Sequence, residues 1–281
     1  MDILINELSL DGQFSSVTDF IYKGLNPFIT ILDEITALDY TLLKKYDLYD
    51  SMITGDKTLY DILIGSISRE YDQIRKFKRK LAMLFEEPYW ENDKKHYDYD
   101  TYLFDGREIN NSSLAESCAR DRVVVSFLHR NFKILKLQVL KNQEGISIDN
   151  LYDRLHFLEF LRSREKIEFE KYIRQRFRGT KLNFTFISKH SGFGLLNSDE
   201  VENSFLSSFE KFIKMSWDDI SKDDGFEYKP YKDQGLFKRK YNDKNICKFR
   251  TSQKYRCFGY RENDTFYVIC FESNHKLSDK G

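Results

Sequence analysis

Apolar residues recur along this chain at two periods, and the changes between them predict an alternation of strands and helices. Asp2–Leu10 has the pattern of a short strand. Apolar spacings of three and four then predict a helix from about Ser16 to Ile35 and a longer helix over Thr58–Phe85. Local signals therefore define the elements at the beginning of the chain.

The middle of the chain continues this alternation. A short helix is predicted after a cap at Ser112 or Ser113, and the β-branched run Val123–Leu128 predicts a buried strand. Ile134–Leu140 alternates and is predicted to pair with that strand. A second long helix is predicted over Asp149–Phe177. Strands alternating with helices indicate an α/β unit.

The last part of the chain has a different order of elements. We place the domain boundary at Arg178-Gly179-Thr180, which gives an N-terminal domain of residues 1–178 and a C-terminal domain of residues 179–281. The C-terminal pattern predicts a strand, a helix and three more strands, at Leu182–Ile187, about Ser198–Met215, Ile246–Arg250, Tyr255–Tyr260 and Phe266–Phe271. The predicted fold class is α+β / α/β, with a mixed α/β domain containing long helices in front.

Charge is balanced over the whole chain but not along it. The 45 Lys and Arg residues equal the 45 Asp and Glu residues. From Lys229 to Gly281, however, 13 Lys and Arg stand against six Asp and Glu. A basic terminal region is typical of contact with nucleic acid. No apolar run is long enough for a membrane span and no secretory signal is visible, so we expect a cytoplasmic protein.

Cysteine and histidine spacing does not predict a metal site. None of the four cysteines forms a CxxC pair, and the five histidines do not cluster with them. We expect all four thiols to be reduced packing residues, and we expect no metal and no cofactor. The four are Cys118, Cys247, Cys257 and Cys270.

Cations near the C-terminus have the composition of an RNA-cleaving surface. RNA is cleaved by its own 2′-hydroxyl, so a protein needs only to hold the phosphate, move a proton and stabilise the developing charge. Together, the side chains of Arg256, His275 and Lys276 supply the groups for these tasks, and no metal is required. Lys254 and Arg261 are the predicted accessory RNA contacts.

Aromatic residues alternate with these cations. Phe258 and Tyr260 are predicted to stack on unpaired bases, as are Tyr255 and Tyr267, and Arg250 extends the basic surface. Alternation along the strand puts Lys254, Arg256 and Phe258 on one face. Solvated charges on an ordinary sheet are the competing interpretation of the same pattern.

The segment from about Phe205 to the C-terminus resembles the RelE-like toxin superfamily, the small ribonuclease and gyrase-inhibitor toxins of bacterial toxin–antitoxin systems. The residues that carry the resemblance are Phe249-Arg250-x-Ser252-x-Lys254-Tyr255-Arg256-x-Phe258-Gly259, then Thr265-Phe266-Tyr267-Val268-x-x-Phe271-x-x-x-His275-Lys276. The resemblance implies an antiparallel sheet packed on helices. It also implies that Arg256 grips phosphate and that His275 or Lys276 is the catalytic residue of the last strand.

Two features depart from such a toxin. Residues 1–178 precede the toxin-like part, and the Trp217–Gly235 segment is longer and more acidic than the superfamily needs. The arrangement resembles a bacterial defence protein in which a regulatory or sensing domain precedes a toxin-like effector. The implied partners are RNA, including ribosome-bound mRNA, and an antitoxin or another subunit of a defence complex.

Alternative functions follow from the same residues. One is a nucleic-acid- or protein-binding subunit without catalysis, and another is an inhibitor of a host enzyme such as gyrase. Arg122 and His129 resemble the paired residues of another ribonuclease class, although a strand is predicted between them. Acids near strand ends would suit a PIN-like metal-dependent nuclease, namely Asp2, Glu7, Asp33, Glu116 and Asp121.

Overall fold

The chain forms two compact units. A computed structural model describes residues 1–64, 75, 79, 88–128, 130–233, 237, 241, 244–274 and 277. The N-terminal unit is Met1–Phe160 and the C-terminal unit is Leu161–Gly281. This division lies before the predicted boundary at 178/179. Phe177 explains the difference, because its ring packs on Phe184 and Phe209 of the C-terminal unit at centroid distances of 6.2 and 5.8 Å.

The N-terminal unit is built on a seven-stranded mixed sheet. Its strands are β1 (Asp2–Asn6), β2 (Thr41–Leu43), β3 (Tyr102–Phe104), β4 (Arg107–Glu108), β5 (Val123–Ser126), β6 (Lys136–Lys141) and β7 (Glu144–Leu151). Their order is β2-β1-β5-β7-β6-β3-β4. The first four are parallel, whereas β6, β3 and β4 pair antiparallel. Central β1 and β5 are buried, as the apolar run 123–128 predicted.

Among the residues that the structure describes, five α-helices begin in this unit, together with short helical turns. They are α1 (Val17–Asp19), α2 (Asn26–Ala37), α3 (Leu59–Ile64), α4 (Ser113–Ser117) and α5 (Arg154–Ser163). The predicted caps are present, since the side chains of Ser16 and Ser112 accept hydrogen bonds from Asp19 N and Ala115 N, both at 3.1 Å. The helix predicted over 58–85 begins as α3, and most of its remaining residues lie outside the described residues.

Two predictions in the middle of the chain are wrong. Asp149 lies in β7 rather than at a helix start, and the predicted helix of 149–177 is instead α5 and a separate helix α6 (Phe169–Arg176). Glu165 interrupts it with φ of 53°, a left-handed conformation that ends a helix. The predicted strand at Ile134–Leu140 exists as β6, but it pairs with β7 and not with β5. The alternation in its sequence predicted which side chains share a face of the strand, but it did not predict which strand lies next to it.

The C-terminal unit contains a five-stranded sheet and helices α6, α7 (Asp199–Lys214) and α8 (Trp217–Lys222). Its strands are β8 (Leu182–Asn183), β9 (Lys229–Pro230), β10 (Ile246–Arg250), β11 (Arg256–Glu262) and β12 (Thr265–Glu272). The order is β8-β12-β11-β10-β9, and all pairs except β8 with β12 are antiparallel. The predicted helix and the three predicted final strands are confirmed.

Both faces of this sheet carry aromatic packing. On one face, Phe249 of β10 stacks on Phe212 of α7 at 4.8 Å, and Phe271 of β12 packs on Phe205 at 4.7 Å. On the other face, Phe258 of β11 contacts Tyr231 edge-on at 5.4 Å. The sheet is therefore covered on the side that alternation assigned to Arg256 and Phe258 as well as on the helical side.

These elements establish the predicted α+β / α/β class, with helices packed on a mixed sheet and on a largely antiparallel one. Within the described ranges, no helix combines the length and the apolar character that crossing a membrane requires. The four cysteines are free thiols and all are buried.

Candidate functional site

Three charged residues stand in one row across the end of the C-terminal sheet. Arg250 on β10 is opposite Arg256 on β11, and Arg256 is opposite Glu272 on β12. Direct antiparallel partners have Cα atoms about 4.5–5.5 Å apart. We call these three residues the charged row. Because Arg256 and Phe258 are two residues apart on one strand, the charged row lies on the face that carries Phe258.

The Arg256 guanidinium is fixed at one corner. Its Nη1 donates to three backbone carbonyl oxygens of the bend before β11, those of Ser252, Gln253 and Tyr255, at 2.9, 3.1 and 3.0 Å. The side chain is half-buried. Within the part of the chain that the structure describes, its Nε and Nη2 make no hydrogen bond. One edge of the group is thus held in place while two nitrogens retain donor capacity, which is a geometry suited to an oxyanion.

The electrostatics of the row also favour an anion. Burial, and then the like charge of Arg250, lowers the pKa of Arg256, while Glu227 and Glu272 oppose this shift. Arg250 Nη2 donates to Glu227 Oε1 at 2.7 Å, and its buried Nε has no partner within the described residues. An arginine remains protonated at neutral pH. A phosphate near Arg256 would therefore relieve repulsion between two guanidinium groups as well as form hydrogen bonds.

Two charged side chains of this face are buried. Glu272 is 3% exposed and Lys248 is 5% exposed. Glu272 Oε1 accepts a hydrogen bond from the Leu277 backbone N–H, and Lys248 Nζ lies 5.5 Å from the centroid of the Tyr231 ring. Buried charges are costly unless they are compensated. Their presence beside Arg256 separates this end of the sheet from an ordinary solvated surface.

Lys248 and Glu272 are not among the site residues predicted from the sequence. Alternation along Ile246–Arg250 puts Lys248 on the same face as Arg250 and opposite Cys247 and Phe249, so the sequence did not indicate that Lys248 is buried. Glu272 is the last residue of β12, where a charged residue is not in itself a sign of a site. Only the register of β12 against β11 makes it the partner of Arg256.

The predicted accessory cations are not together. Lys254 is exposed in the bend before β11, with Nζ 5.5 Å from the centroid of the Tyr255 ring. Arg261 lies near the other end of β11, five residues from Arg256, which is roughly 17 Å along a strand. Its guanidinium carbon is 4.1 Å from the Trp217 ring centroid, and its Nε donates to Asn263 O at 2.8 Å. Arg261 is therefore separate from the charged row.

The prediction that Phe258 stacks on an RNA base is wrong for this structure. Phe258 is fully buried under Tyr231 and Phe237. Tyr260 is 5% exposed, and its ring is stacked on Tyr267 at 5.1 Å, so it offers no free ring face of the kind that base stacking needs. Tyr231 and Phe237, which cover Phe258, come from the segment before β10. The alternation within β11 could not predict that this segment packs on it.

His275, Lys276 and His129 lie outside the described residues. Leu277, which follows His275 and Lys276 in the chain, is described, and its backbone carbonyl oxygen accepts a hydrogen bond from Tyr231 Oη at 2.9 Å. Leu277 is thus bonded both to Glu272 of the charged row and to Tyr231.

Three of the acids considered for a metal-dependent nuclease, Asp2, Glu116 and Asp121, have other partners. Arg120 Nη1 lies 2.8 Å from Asp2 Oδ2, and its Nε lies 2.5 Å from Glu116 Oε1. The Asp121 carboxylate accepts a hydrogen bond from the Asp2 backbone N–H. Among the described residues there is no group of three or more His, Cys, Asp and Glu side chains that is arranged to hold a metal ion. These acids support the fold of the N-terminal unit.

A cavity of about 390 Å³ occupies another part of the C-terminal unit. Arg174, Arg178, Thr265 and Tyr267 are among the residues that line it. Arg174 is already engaged, since its Nε and Nη2 donate to Glu170 and its Nη1 donates to Phe184 O. The cavity lies at the start of β12, whereas the charged row lies at its end.

No family model, no curated protein and no solved structure matches this chain.

Proposed function

We propose that the C-terminal unit binds RNA and acts as a metal-independent endoribonuclease of toxin type, in a toxin–antitoxin or phage-defence setting. The observation that carries the proposal is the cross-strand pairing of Arg250 with Arg256, with buried Glu272 on the next strand. The resemblance of 249–276 to RelE-like toxins supports the same reading. Arg256 is the residue proposed to hold phosphate.

The proposed reaction uses the RNA as its own nucleophile. A base removes the proton of a 2′-hydroxyl, and the oxygen attacks the adjacent phosphorus while the bond to the 5′-oxygen breaks. The products are a 2′,3′-cyclic phosphate and a 5′-hydroxyl end. Arg256 would stabilise the phosphorane charge, and His275 or Lys276 would transfer the protons. Lys254 would contact a neighbouring phosphate.

Burial of Phe258 and Tyr260 changes how RNA would be held. Because these two rings are covered, binding depends on the phosphate backbone. Affinity should then fall steeply with salt and depend little on base identity, because each phosphate contact releases counterions. This distinguishes the proposal from recognition by base stacking.

The proposal is tested by incubating the full chain with RNA in EDTA and sequencing the RNA ends. We expect 2′,3′-cyclic phosphate ends from the wild-type protein and their loss in Arg256→Ala and His275→Ala. Lys214→Ala is the matched control, because it removes an exposed cation from α7, on the other face of the sheet. Unchanged cleavage in Arg256→Ala and His275→Ala would overturn the proposal.

A second function is favoured by the covered sheet face. Tyr231 and Phe237 pack where RNA-stacking rings were predicted, as in a module that binds without chemistry. A non-catalytic subunit of a defence complex would retain RNA, DNA or a protein partner and would leave RNA intact. Salt-sensitive retention of RNA with no new ends at any protein concentration would favour this function over the first.

A further inference from the structure

A cavity of about 310 Å³ opens in the N-terminal unit, away from the residues discussed so far. Part of its lining comes from residues that follow two parallel strands: Glu7 and Leu8 directly follow β1, and Asn131 and Phe132 come shortly after β5. Carboxyl ends of parallel neighbours meet at the same edge of a sheet. The cavity thus lies at the carboxyl edge of β1 and β5.

The topology of the sheet makes this edge a favoured ligand site. The chain leaves β1 to form β2 on one side and later forms β5 on the other side of β1. The connection that leaves β1 leads to β2, whereas the connection that leaves β5 leads to β6 and β7 on the opposite side. Between the carboxyl ends of β1 and β5, the two connections therefore run apart and leave a crevice. Ligands in open parallel sheets bind in crevices of this kind.

Glu7 supplies an unsatisfied group in the cavity. Its side chain is buried, with the residue only 8% exposed. Glu7 Oε1 accepts a hydrogen bond from Ser113 N at 3.0 Å, but its buried Oε2 has no hydrogen-bond partner among the described residues. A buried acceptor without a hydrogen bond destabilises the folded protein. A ligand that donates a hydrogen bond to Glu7 Oε2 removes this cost, and the gain contributes to its affinity.

The other walls define the chemical class of ligand. Phe104 and Phe132 form a stacked pair at 5.3 Å, which gives the cavity an apolar side. Three further carboxyl groups line it, those of Asp11, Asp105 and Glu108. The lining has one cation, Arg107, whose Nη1 lies 3.9 Å from Asp11 Oδ2. Four carboxyl groups against one guanidinium favour a cation and disfavour phosphates.

A metal ion fits this cavity less well than an organic cation. No group of three or more potential metal-ligating side chains suited to a metal ion occurs in the described ranges, and this cavity is within them. The stacked rings would also be unused by an ion. A ligand with a planar apolar body and a cationic nitrogen head uses both the rings and Glu7.

We infer that the N-terminal unit binds a small organic cation in this cavity, with an amidinium or ammonium group donating to Glu7 Oε2 and an apolar body against Phe104 and Phe132. The site is independent of the RNA-binding proposal. It gives the N-terminal unit a ligand of its own, with a chemistry opposite to that of nucleic acid.

Calorimetric titration of the full chain with benzamidine tests the inference. Benzamide and benzoate serve as neutral and anionic probes of the same shape. We expect saturable binding of benzamidine, at least tenfold tighter than that of either analogue. Glu7→Gln should weaken it at least tenfold, since the amide oxygen still accepts from Ser113 while the other acceptor is lost.

Two further variants keep the test decisive. Glu144→Gln removes an exposed acid from the start of β7 and should bind benzamidine as the wild type does. Met52→Trp should block the cavity from its exposed wall and abolish binding even if Glu7→Gln folds poorly. Absence of saturable binding, equal binding of the three probes, or unaltered binding by Met52→Trp would overturn the inference.

Discussion

Arg256 and Glu272 are direct cross-strand partners, one half-buried and one almost fully buried. Glu272 does more than balance charge, because its carboxylate also accepts a hydrogen bond from the backbone N–H of Leu277. The residue that faces the proposed phosphate-binding arginine therefore also holds Leu277.

Glu272→Ala should lower the free energy of unfolding of the C-terminal unit by about 1–3 kcal/mol, since the Leu277 N–H loses a charged acceptor. Glu272→Gln should cost less because an amide oxygen still accepts. Amide hydrogen exchange of β11 and β12 measures both. Glu262→Ala is the control, because its ion pair with Lys244 is surface-exposed and contributes less than about 1 kcal/mol. Equal losses in Glu272→Ala and Glu262→Ala would contradict the anchoring role.

Gly259 should not tolerate a methyl group. A Cβ there would lie 2.3 Å from Tyr267 O and 2.5 Å from Phe266 Cε1, next to the irregularity in the pairing of β11 with β12. Because a backbone oxygen cannot rotate away, Gly259→Ala should cost about 3 kcal/mol. Gly145→Ala, in β7, meets no atom within 4 Å and should change stability by less than about 1 kcal/mol. Urea denaturation of the two variants gives the comparison, and similar midpoints would argue against the packing at Gly259.

Acid should destabilise the N-terminal unit through Glu116. Burial acts to raise its pKa, but hydrogen bonds from His96, the Lys95 backbone and Arg120 outweigh burial and lower the pKa below its usual 4.5. The unfolded state then binds the proton first, so this stability is present above about pH 4.5 and is lost as pH falls through the lowered pKa. Trp90 fluorescence in a Trp217→Phe background follows this unit. In Glu116→Gln the stability should be lower at neutral pH and should lose this acid dependence.

The contribution of Glu7 to the stability of the N-terminal unit should have the opposite pH dependence. Burial raises its pKa above 4.5, against the smaller effects of Ser113 and Lys45. The folded state therefore holds the Glu7 proton at a pH where the unfolded state has lost it. The stability from this residue is complete below about pH 4.5 and declines as pH rises through the raised value. Glu7→Gln should remove the decline, and urea midpoints that vary with pH in parallel for variant and wild type would contradict it.

Local signals predicted many elements but not their partners. Ser16 and Ser112 cap helices as expected, and the run at 123–128 forms a buried strand, because capping and apolar runs act over a few residues. The prediction of one helix over 149–177 was wrong because it used only such short-range signals. Its apolar residues had a regular spacing, but the pairing of Asp149 with Lys136 and Val123 was a long-range contact.

The candidate site was predicted in part. Arg256 could be named because a cation in an alternating aromatic strand is a strong local pattern, and Arg250 lay on the adjacent predicted strand. Phe258 was misassigned because alternation tells which residues share a face and not what covers that face. Glu272 was missed because its role depends on the register of β12.

The sequence by itself determined the α+β / α/β class, the final three strands and the basic character of the C-terminal end, since periodicity, capping and charge are local properties. Tertiary structure alone decided that Tyr231 and Phe237 cover Phe258, that Glu272 faces Arg256, and that Glu7 opens into a cavity. Each of these depends on which distant segment excludes water from a given side chain, and that is settled only when the whole chain has packed.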